Sequence, residues 1–553
     1  MLTVASVECI LFPRSSDESP HNNYRTQFRT GCVPKTMNPM NGAESLIRTL
    51  VSGGVRVCFT NPGTSEMHLV AALDRVEEMR CVLALFEGVV TGAADGYARM
   101  AEKPACTLVH LGPGLANGLA NLHNASRAQV PIINLVGQHP SYHLRYDAPL
   151  TSDIEGIARP FSKWLRTSRS VSEIGPDAAD AIIAARTAPG QIATLIVPTD
   201  VAWTDGGSVA QIPDFPRAPL PCSKSVDHAA SVLRTGLPTA LLLTGNALYG
   251  EGFMTAGRIA AATGAKLLAP YPITRVQRGA GSPPVQRIPY VPEQAMELLK
   301  QFRHLILVGA AAPVSYFAYP GKSSVLTSPE CEIHALASPG EDYVGGLEAL
   351  AAALSLSKTE PLVEKPNRPA APTGEITLPG LATAIAAALP DGAIVIDEAM
   401  TSGRGIMGAA AGASSHDWLG NTGGSIGIAI PMAVGAAVAC PDRRVICLTA
   451  DGSGMYTPQG LWTMAREGLN VTTVVFANRT YGVLQREFSG LGVGAPGPRA
   501  AALFDIGRPT LDWVHLAKGM GVPANRVTSL ETFAKALREG FEGEGPTLIE
   551  VPL

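Results

Sequence analysis

Between Asn41 and Val201, short continuous runs of apolar and β-branched residues alternate with glycine-rich turns and amphipathic stretches. The runs are Val55–Phe59, Cys81–Leu85, Cys106–His110, Ile132–Val136 and Ala193–Val197, with helical patterns over Ser65–Val76, Gly88–Met100 and Leu115–Arg127 between them. A strand that is apolar along its whole length is covered on both faces. Helices that return the chain between such strands cover both faces when the strands run parallel. The pattern therefore predicts a doubly wound parallel α/β sheet.

The alternation then repeats. Gly206–Pro221 holds four prolines and reads as a linker. A second segment follows with strands Ala240–Leu243 and Leu305–Val308. A second linker, Lys358–Pro379, carries five prolines, and the third segment has strands Ile394–Ile396, Val445–Leu448, Val471–Phe476 and Thr547–Val551. At about 150 residues per domain a chain of this length holds three or four domains. The expectation is three doubly wound parallel-sheet α/β domains, over residues 40–205, 222–357 and 375–553. Residues 1–39 read as a disordered extension, polar and irregular through residue 36, with Met37 and Met40 just before the first helical pattern.

Composition closes off other classes. With 46% hydrophobic and 16% charged residues the chain can bury large cores. A net charge of −4 offers no basic excess for a nucleic-acid backbone. The nine cysteines are scattered, with no CxxC pair and no paired Cys/His spacing, which points to reduced thiols and away from a structural zinc site. The longest apolar run, Ile426–Cys440, contains Pro431 and is shorter than the ~20 residues of a membrane span. A buried helix is expected there instead. No basic region precedes the apolar residues near Met1, so no signal peptide is expected and the chain reads as soluble and cytoplasmic.

Four local patterns can carry chemistry. In Val445–Gly482 a strand ends at Ala450-Asp451-Gly452-Ser453, a helix follows, and the returning strand ends at Asn478-Arg479-Thr480. Adjacent parallel strands bring their carboxyl ends to one crevice, so Asp451 and Asn478 should converge. A carboxylate, an amide oxygen and a main-chain carbonyl suit Mg²⁺, while Gly452 and Ser453 free N–H groups for a phosphate. An ordinary Asp-Gly-Ser turn is the competing reading. Glu87, in Phe86-Glu87-Gly88-Val89-Val90, is a lone acid among small and apolar residues; desolvation raises such a pKa unless a partner compensates, and plain helix capping is its alternative. His110 ends a strand at His110-Leu111-Gly112-Pro113-Gly114. Asn61-Pro62-Gly63-Thr64 forms a turn at the first strand end, where capping is the simplest account.

Together these residues resemble the thiamine-diphosphate-dependent decarboxylase and acetolactate synthase family, from Asn41 to Leu553. The resemblance implies the domain order pyrimidine-binding, central, diphosphate-binding. It implies Asp451, Asn478 and the Thr480 carbonyl as Mg²⁺ ligands, and Glu87 as the acid that shares a proton with the pyrimidine of thiamine diphosphate. Pro62, Gly63, Asn117, Thr401, Ser402, Ile426, Gly452 and Ser453 are the implied cofactor contacts, Ile426 being the bulky residue that bends the cofactor. Thr64, His110, Phe317 and Val483 would surround the reacting carbon, with His110 relaying protons. Two positions depart from the family signature: Ala450 stands for its glycine, and Ala477 for the first asparagine of its pair.

Closer likenesses divide between two branches. NPGTSE, VLALFEGVVTGAADGYAR and His110 are similar to benzoylformate decarboxylase. His110-Leu-Gly-Pro-Gly and SDIEGIARPFSKW are similar to acetolactate synthase, and the best overall match is acetolactate-synthase-like large subunits. Benzoylformate decarboxylase carries a second active-site histidine where Phe317 stands here. The implied reaction is addition of the thiazolium ylid to a small 2-oxo acid, loss of CO₂, and transfer of the remaining enamine to a second carbonyl. Simple decarboxylation is the alternative. The resemblance also implies a homodimer or homotetramer whose sites are shared between subunits, with neither nucleic acid nor membrane as partner. FAD stays open without support, because Gly245, Gly250 and Gly252 do not fit G-x-G-x-x-G. A non-catalytic regulatory homologue is disfavoured because the glutamate and metal ligands are all present. Gly423-Gly424-Ser425-Ile426-Gly427 also fits the nucleophile elbow of hydrolases, with Asp451 and His515 following in chain order. The polar residues before it argue against the strand that motif needs.

Overall fold

The computed structural model describes residues 40–553. The extension expected over residues 1–39 lies outside the described residues. Three sheets follow one another along the chain. The first contains β1 (Val57–Asn61), β2 (Arg80–Leu83), β3 (Ala105–Val109), β4 (Ile132–Gln138), β5 (Trp164–Thr167) and β6 (Ile192–Pro198), all parallel in the order 2-1-3-4-6-5. The central segment supplies β7 (Thr239–Leu243), β8 (Lys266–Ala269), β9 (Arg275–Arg278), β10 (Gln286–Arg287), β11 (His304–Val308) and β12 (Glu332–Ala337). Five of these form a parallel sheet in the order 10-8-7-11-12. The last segment supplies β13 (Ala393–Glu398), β14 (His416–Gly420), β15 (Val445–Ala450), β16 (Val471–Ala477), β17 (Ala524–Arg526) and β18 (Thr547–Pro552).

The third sheet has the order 17-18-16-15-13-14-9. Its outer strand β9 comes from the central segment and pairs antiparallel with β14. The central segment thus enters the third sheet across the boundary read from the linkers. Polar residues hold this edge together: Arg275 pairs with Asp417 at 2.8 Å, and Arg443 reaches the other oxygen of Asp417 at 2.7 Å.

Helix Ala429–Ala439, inside the apolar run Ile426–Cys440, is buried from Ala429 to Val438. It crosses helix Glu87–Ala101 at the closest approach glycine permits. A Cβ on Gly435 would lie 1.8 Å from the Ala93 carbonyl oxygen, and one on Gly96 would lie 2.1 Å from that of Met432. One apolar core spans the first and third sheets through this crossing. Buried Arg99 pairs with Asp95 and donates to the carbonyls of Thr274 and Gly420 and the Thr422 hydroxyl, tying three segments together. Among the described residues no helix is long and apolar enough to cross a membrane.

Candidate active site

Two groups of the expected residues gather at strand ends. The first lies beyond β1 and β3. Glu87 opens helix Glu87–Ala101 with 8% of its surface exposed. Its Oε2 accepts from the Asn117 side chain at 3.0 Å, so the acid is held by a neighbouring helix and does not cap its own. Among the described residues no donor reaches Oε1. Gly114 allows this proximity, since a Cβ there would stand 3.2 Å from Oε1. Asn117 lies on helix Leu111–Arg127, which begins four residues earlier than its apolar pattern suggests. Leu111 takes a left-handed φ of +50° to turn out of β3, and Pro113 is accommodated in the first helical turn.

His110 caps that helix and turns its ring towards the loop after β1. Its Nδ1 lies 2.8 Å from Glu66 Oε2 and 3.1 Å from the Ser65 hydroxyl. Gly63 is obligatory beneath the ring, because a Cβ there would come within 2.2 Å of His110 Cγ. Glu66 is fully buried and also accepts from the Gly63 N–H at 2.7 Å. A Cβ on Gly137 in β4 would lie 1.7 Å from Glu66 Oε1. Pro62 lies in the same loop, and Thr64 opens its 3₁₀ turn with its side chain exposed. Sequence reading passed over Glu66. The available signal was an acid three residues beyond Gly63, in a turn already singled out.

The second group lies where β13, β15 and β16 end side by side. Asp451 Oδ1 accepts from Gly452 N–H at 2.9 Å, and Oδ2 accepts from Arg479 N–H at 2.7 Å. Asp451 and the Asn478 turn therefore do converge. Asn478 Oδ1 accepts from Thr480 N–H at 3.1 Å, while its amide approaches the hydroxyls of Thr401 and Ser402 at 3.5 Å. Arg479 adopts a left-handed φ of +59°, which reverses the chain so that Thr480 returns to the crevice. Among the described residues no donor reaches the Thr480 carbonyl. Burial holds the Asp451 carboxyl above its ordinary pKa, against the two N–H groups that lower it. An all-oxygen set of carboxylate, amide and carbonyl, with an unclaimed carbonyl, fits a hard cation such as Mg²⁺. Ser453 is buried in the short helix Asp451–Gly454, and the Tyr481 ring packs over Gly452. Val483 lies on helix Gly482–Gly490, whose first residue abuts Thr401.

The loop bearing Ile426 is fixed from two sides. Asn124 donates to the Ser425 carbonyl at 2.8 Å and accepts from its N–H at 3.1 Å. Buried Glu398, the last residue of β13, accepts from the N–H groups of Gly427 and Ala429 at 3.1 Å. Asn421 donates to the same carboxylate at 3.0 Å. Desolvation pushes Glu398 up to about 7 although these donors pull it down. Glu398 was not singled out from sequence, where it reads as an unremarkable strand end. Phe317 is 51% exposed and stacks edge-on against Tyr316, whose hydroxyl sits over Gly424.

One expectation needs correction. A strand, β14, does precede Gly423–Gly427, despite its polar sequence, because Asp417 is neutralised by two arginines. The elbow still has no triad: Asp451 is held by two backbone N–H groups and the exposed His515 ring by Asp512 at 2.8 Å. No hydrogen bond joins the three.

Comparison with known proteins accords with this geometry. The profile described as "Thiamine pyrophosphate enzyme, N-terminal TPP binding domain" matches residues 40–157. Its C-terminal TPP binding domain counterpart matches residues 406–551. The chain is 53% identical over 513 residues to a Mycobacterium tuberculosis protein named "Putative acetolactate synthase large subunit IlvX", covering 93% of this chain and 99% of that one. It is 28% identical to benzoylformate decarboxylase of Pseudomonas aeruginosa over 90% of this chain and 96% of the other. Among solved structures, thiamine diphosphate-dependent 4-hydroxybenzoylformate decarboxylase of Rhodococcus jostii RHA1 shares the fold, with a TM-score of 0.82, 22% identity, and coverage of 93% and 99%. The chain belongs to the thiamine pyrophosphate enzyme family, and is a thiamine-diphosphate-dependent enzyme of the acetolactate synthase and benzoylformate decarboxylase type.

Proposed function

We propose that this enzyme is a Mg²⁺-dependent carboligase of small 2-oxo acids such as pyruvate, transferring the decarboxylated fragment to a second carbonyl. The observation that carries the reading is that His110, held through Nδ1 by Glu66, sets an imidazole beside Glu87, while Phe317 contributes only an apolar ring.

Thiamine diphosphate, when bound, supplies the electron sink for loss of CO₂ from a 2-oxo acid. Asp451, Asn478 and the Thr480 carbonyl would hold Mg²⁺, with Gly452, Ser453, Thr401 and Ser402 near the diphosphate. Glu87 would exchange a proton with the pyrimidine ring through Oε1, because Asn117 occupies Oε2. Pro62, Gly63 and Asn117 border that end, and Ile426 supports the cofactor between the halves. With Nδ1 engaged, His110 presents Nε2 to substrate as its proton carrier. Thr64, Phe317 and Val483 would border the substrate, and mostly apolar surroundings there would favour departure of a carboxylate as neutral CO₂. With His110 as one proton carrier where benzoylformate decarboxylase has two histidines, proton delivery to the decarboxylated fragment would be slower, which would favour its transfer to an acceptor carbonyl.

The test is a panel of 2-oxo acids with and without acceptor aldehydes, scored by mass spectrometry. Ligated hydroxyketone is the expected product. Free aldehyde in stoichiometric yield under every acceptor would replace this reading with simple decarboxylation. Separately, Asp451→Ala should bind thiamine diphosphate with Mg²⁺ at least 100-fold more weakly by calorimetry, and unchanged affinity would refute the metal assignment.

A further inference from the structure

The central sheet brings three metal-ligating side chains together at the opposite ends of its strands. In the parallel pair β11 and β12, His304 lies opposite Glu332 and Ile306 lies opposite His334. Side chains alternate along a strand, so His304, Glu332 and His334 share one face. Helix Ser223–Arg234 covers that face and adds His228.

The donor atoms converge. His304 Nδ1 is 3.1 Å from His334 Nε2, and Glu332 Oε2 lies 3.7 Å from the first and 3.9 Å from the second. The point equidistant from these three atoms in their plane lies about 2.1 Å from each, the length of zinc–imidazole and zinc–carboxylate bonds. The second nitrogen of His334, Nδ1, lies 2.9 Å from His228 Nε2. A metal-ligating imidazole commonly donates its other N–H to such an acceptor, which fixes the tautomer. Both His304 and His334 are largely buried, whereas the Glu332 side chain is 68% exposed and leaves an entry path.

We propose that His304 Nδ1, His334 Nε2 and the Glu332 carboxylate form a binding site for a first-row divalent transition metal, zinc foremost, with His228 as the outer partner that orients His334. Two imidazoles and one carboxylate select against Mg²⁺ and Ca²⁺, which prefer all-oxygen sites, and leave the fourth tetrahedral position to water. The cysteine count could not reveal this site, because no cysteine takes part and the ligands are assembled by strand register. A metal here pins the edge strand β12 to β11.

The test is calorimetric titration of the chelator-treated full chain with zinc chloride, under saturating Mg²⁺ and thiamine diphosphate so that the cofactor site is occupied. Wild type should take up one zinc per chain with a dissociation constant of about 1 µM or tighter. His304→Ala and His334→Ala should each weaken binding at least 100-fold, and His228→Ala about 10- to 100-fold. Glu332→Gln, at an exposed position where folding is not at stake, should weaken it at least tenfold. Zinc should also raise the thermal midpoint of wild type and leave that of His334→Ala unchanged. A wild-type chain with no zinc site tighter than 100 µM, or Glu332→Gln and His334→Ala variants that bind as wild type does, would overturn the proposal.

Discussion

Glu398 and Glu66 are buried acids that meet backbone N–H groups beside the site, and each supports a prediction. Burial raises the Glu398 carboxyl from its ordinary 4.5 to about 7. A carboxyl raised in the fold is favoured protonated, so its stabilising contribution is complete below about pH 4.5 and is lost as pH rises through 7. Between pH 5 and 8 that loss comes to about 2–3 kcal/mol, at 1.36 kcal/mol per unit. Glu398→Gln cannot titrate. Urea unfolding of the ligand-free protein at pH 5 and pH 8 should therefore show a wild-type decline about 2–3 kcal/mol steeper than the variant's, and parallel declines would refute the assignment. Glu66 acts through His110, whose Nδ1 it holds at 2.8 Å. If His110 carries protons, Glu66→Gln should lower kcat about 100-fold by loosening the ring and changing its tautomer preference, with little change in KM. Thiamine diphosphate affinity, measured in the same preparation, should fall far less than kcat, although Glu66 also holds the Gly63 N–H. Equal losses in kcat and cofactor binding would instead mark Glu66 as a purely structural acid.

At the scale of elements, the most demanding contact is the crossing of helices Glu87–Ala101 and Ala429–Ala439. Gly435→Ala places a methyl 1.8 Å from the Ala93 carbonyl oxygen, which only a backbone shift can relieve. Overpacking of this kind costs about 1–3 kcal/mol or more. Because Glu87 begins one of these helices, the variant should lose both denaturant resistance and cofactor affinity; a neutral Gly435→Ala would mean that the helices part readily. The sequence makes this helix legible through its unbroken apolar run, and the strands β1, β2, β3, β4, β6, β7, β11, β13, β15, β16 and β18 are legible in the same way. Among the strands that escape are the short β8, Lys-Leu-Leu-Ala, and several polar ones. β9 is Arg-Val-Gln-Arg, β14 opens His-Asp, and β12 opens Glu-Ile-His. Their charges find partners across strands, through Asp417 with Arg275 and Arg443, or lie at a sheet edge. Pairing partners distant in sequence leave no local period to read. The site divides similarly: Asp451, Asn478, Glu87 and His110 stand at ends of legible strands, whereas Glu66, Glu398 and Asn124 gain their importance from partners that only the fold supplies.

At the scale of the whole molecule, the two groups of site residues bear on assembly. Within one chain no hydrogen bond joins the Glu87, Asn117 and His110 group to the Asp451, Asn478 and Thr401 group. Large apolar side chains flank both groups in the open: Met67 and Leu85 beside the first, Met455 and Tyr456 just beyond Asp451 in the second. Exposed apolar patches rimmed by polar residues are where subunits commonly pack. A twofold dimer would bury both patches and set the Glu87 group of one chain against the Asp451 group of the other, giving two equivalent sites. Glu87→Gln and Asp451→Ala chains would each be inactive alone. In a mixed dimer, however, one site receives both substitutions and the other receives neither. Random reassortment of equal amounts makes half the dimers mixed, each with one intact site, so about a quarter of wild-type activity should return. Subunit exchange would be followed by native mass spectrometry in the same samples. Mixed dimers that form and stay inactive would place each site within a single chain.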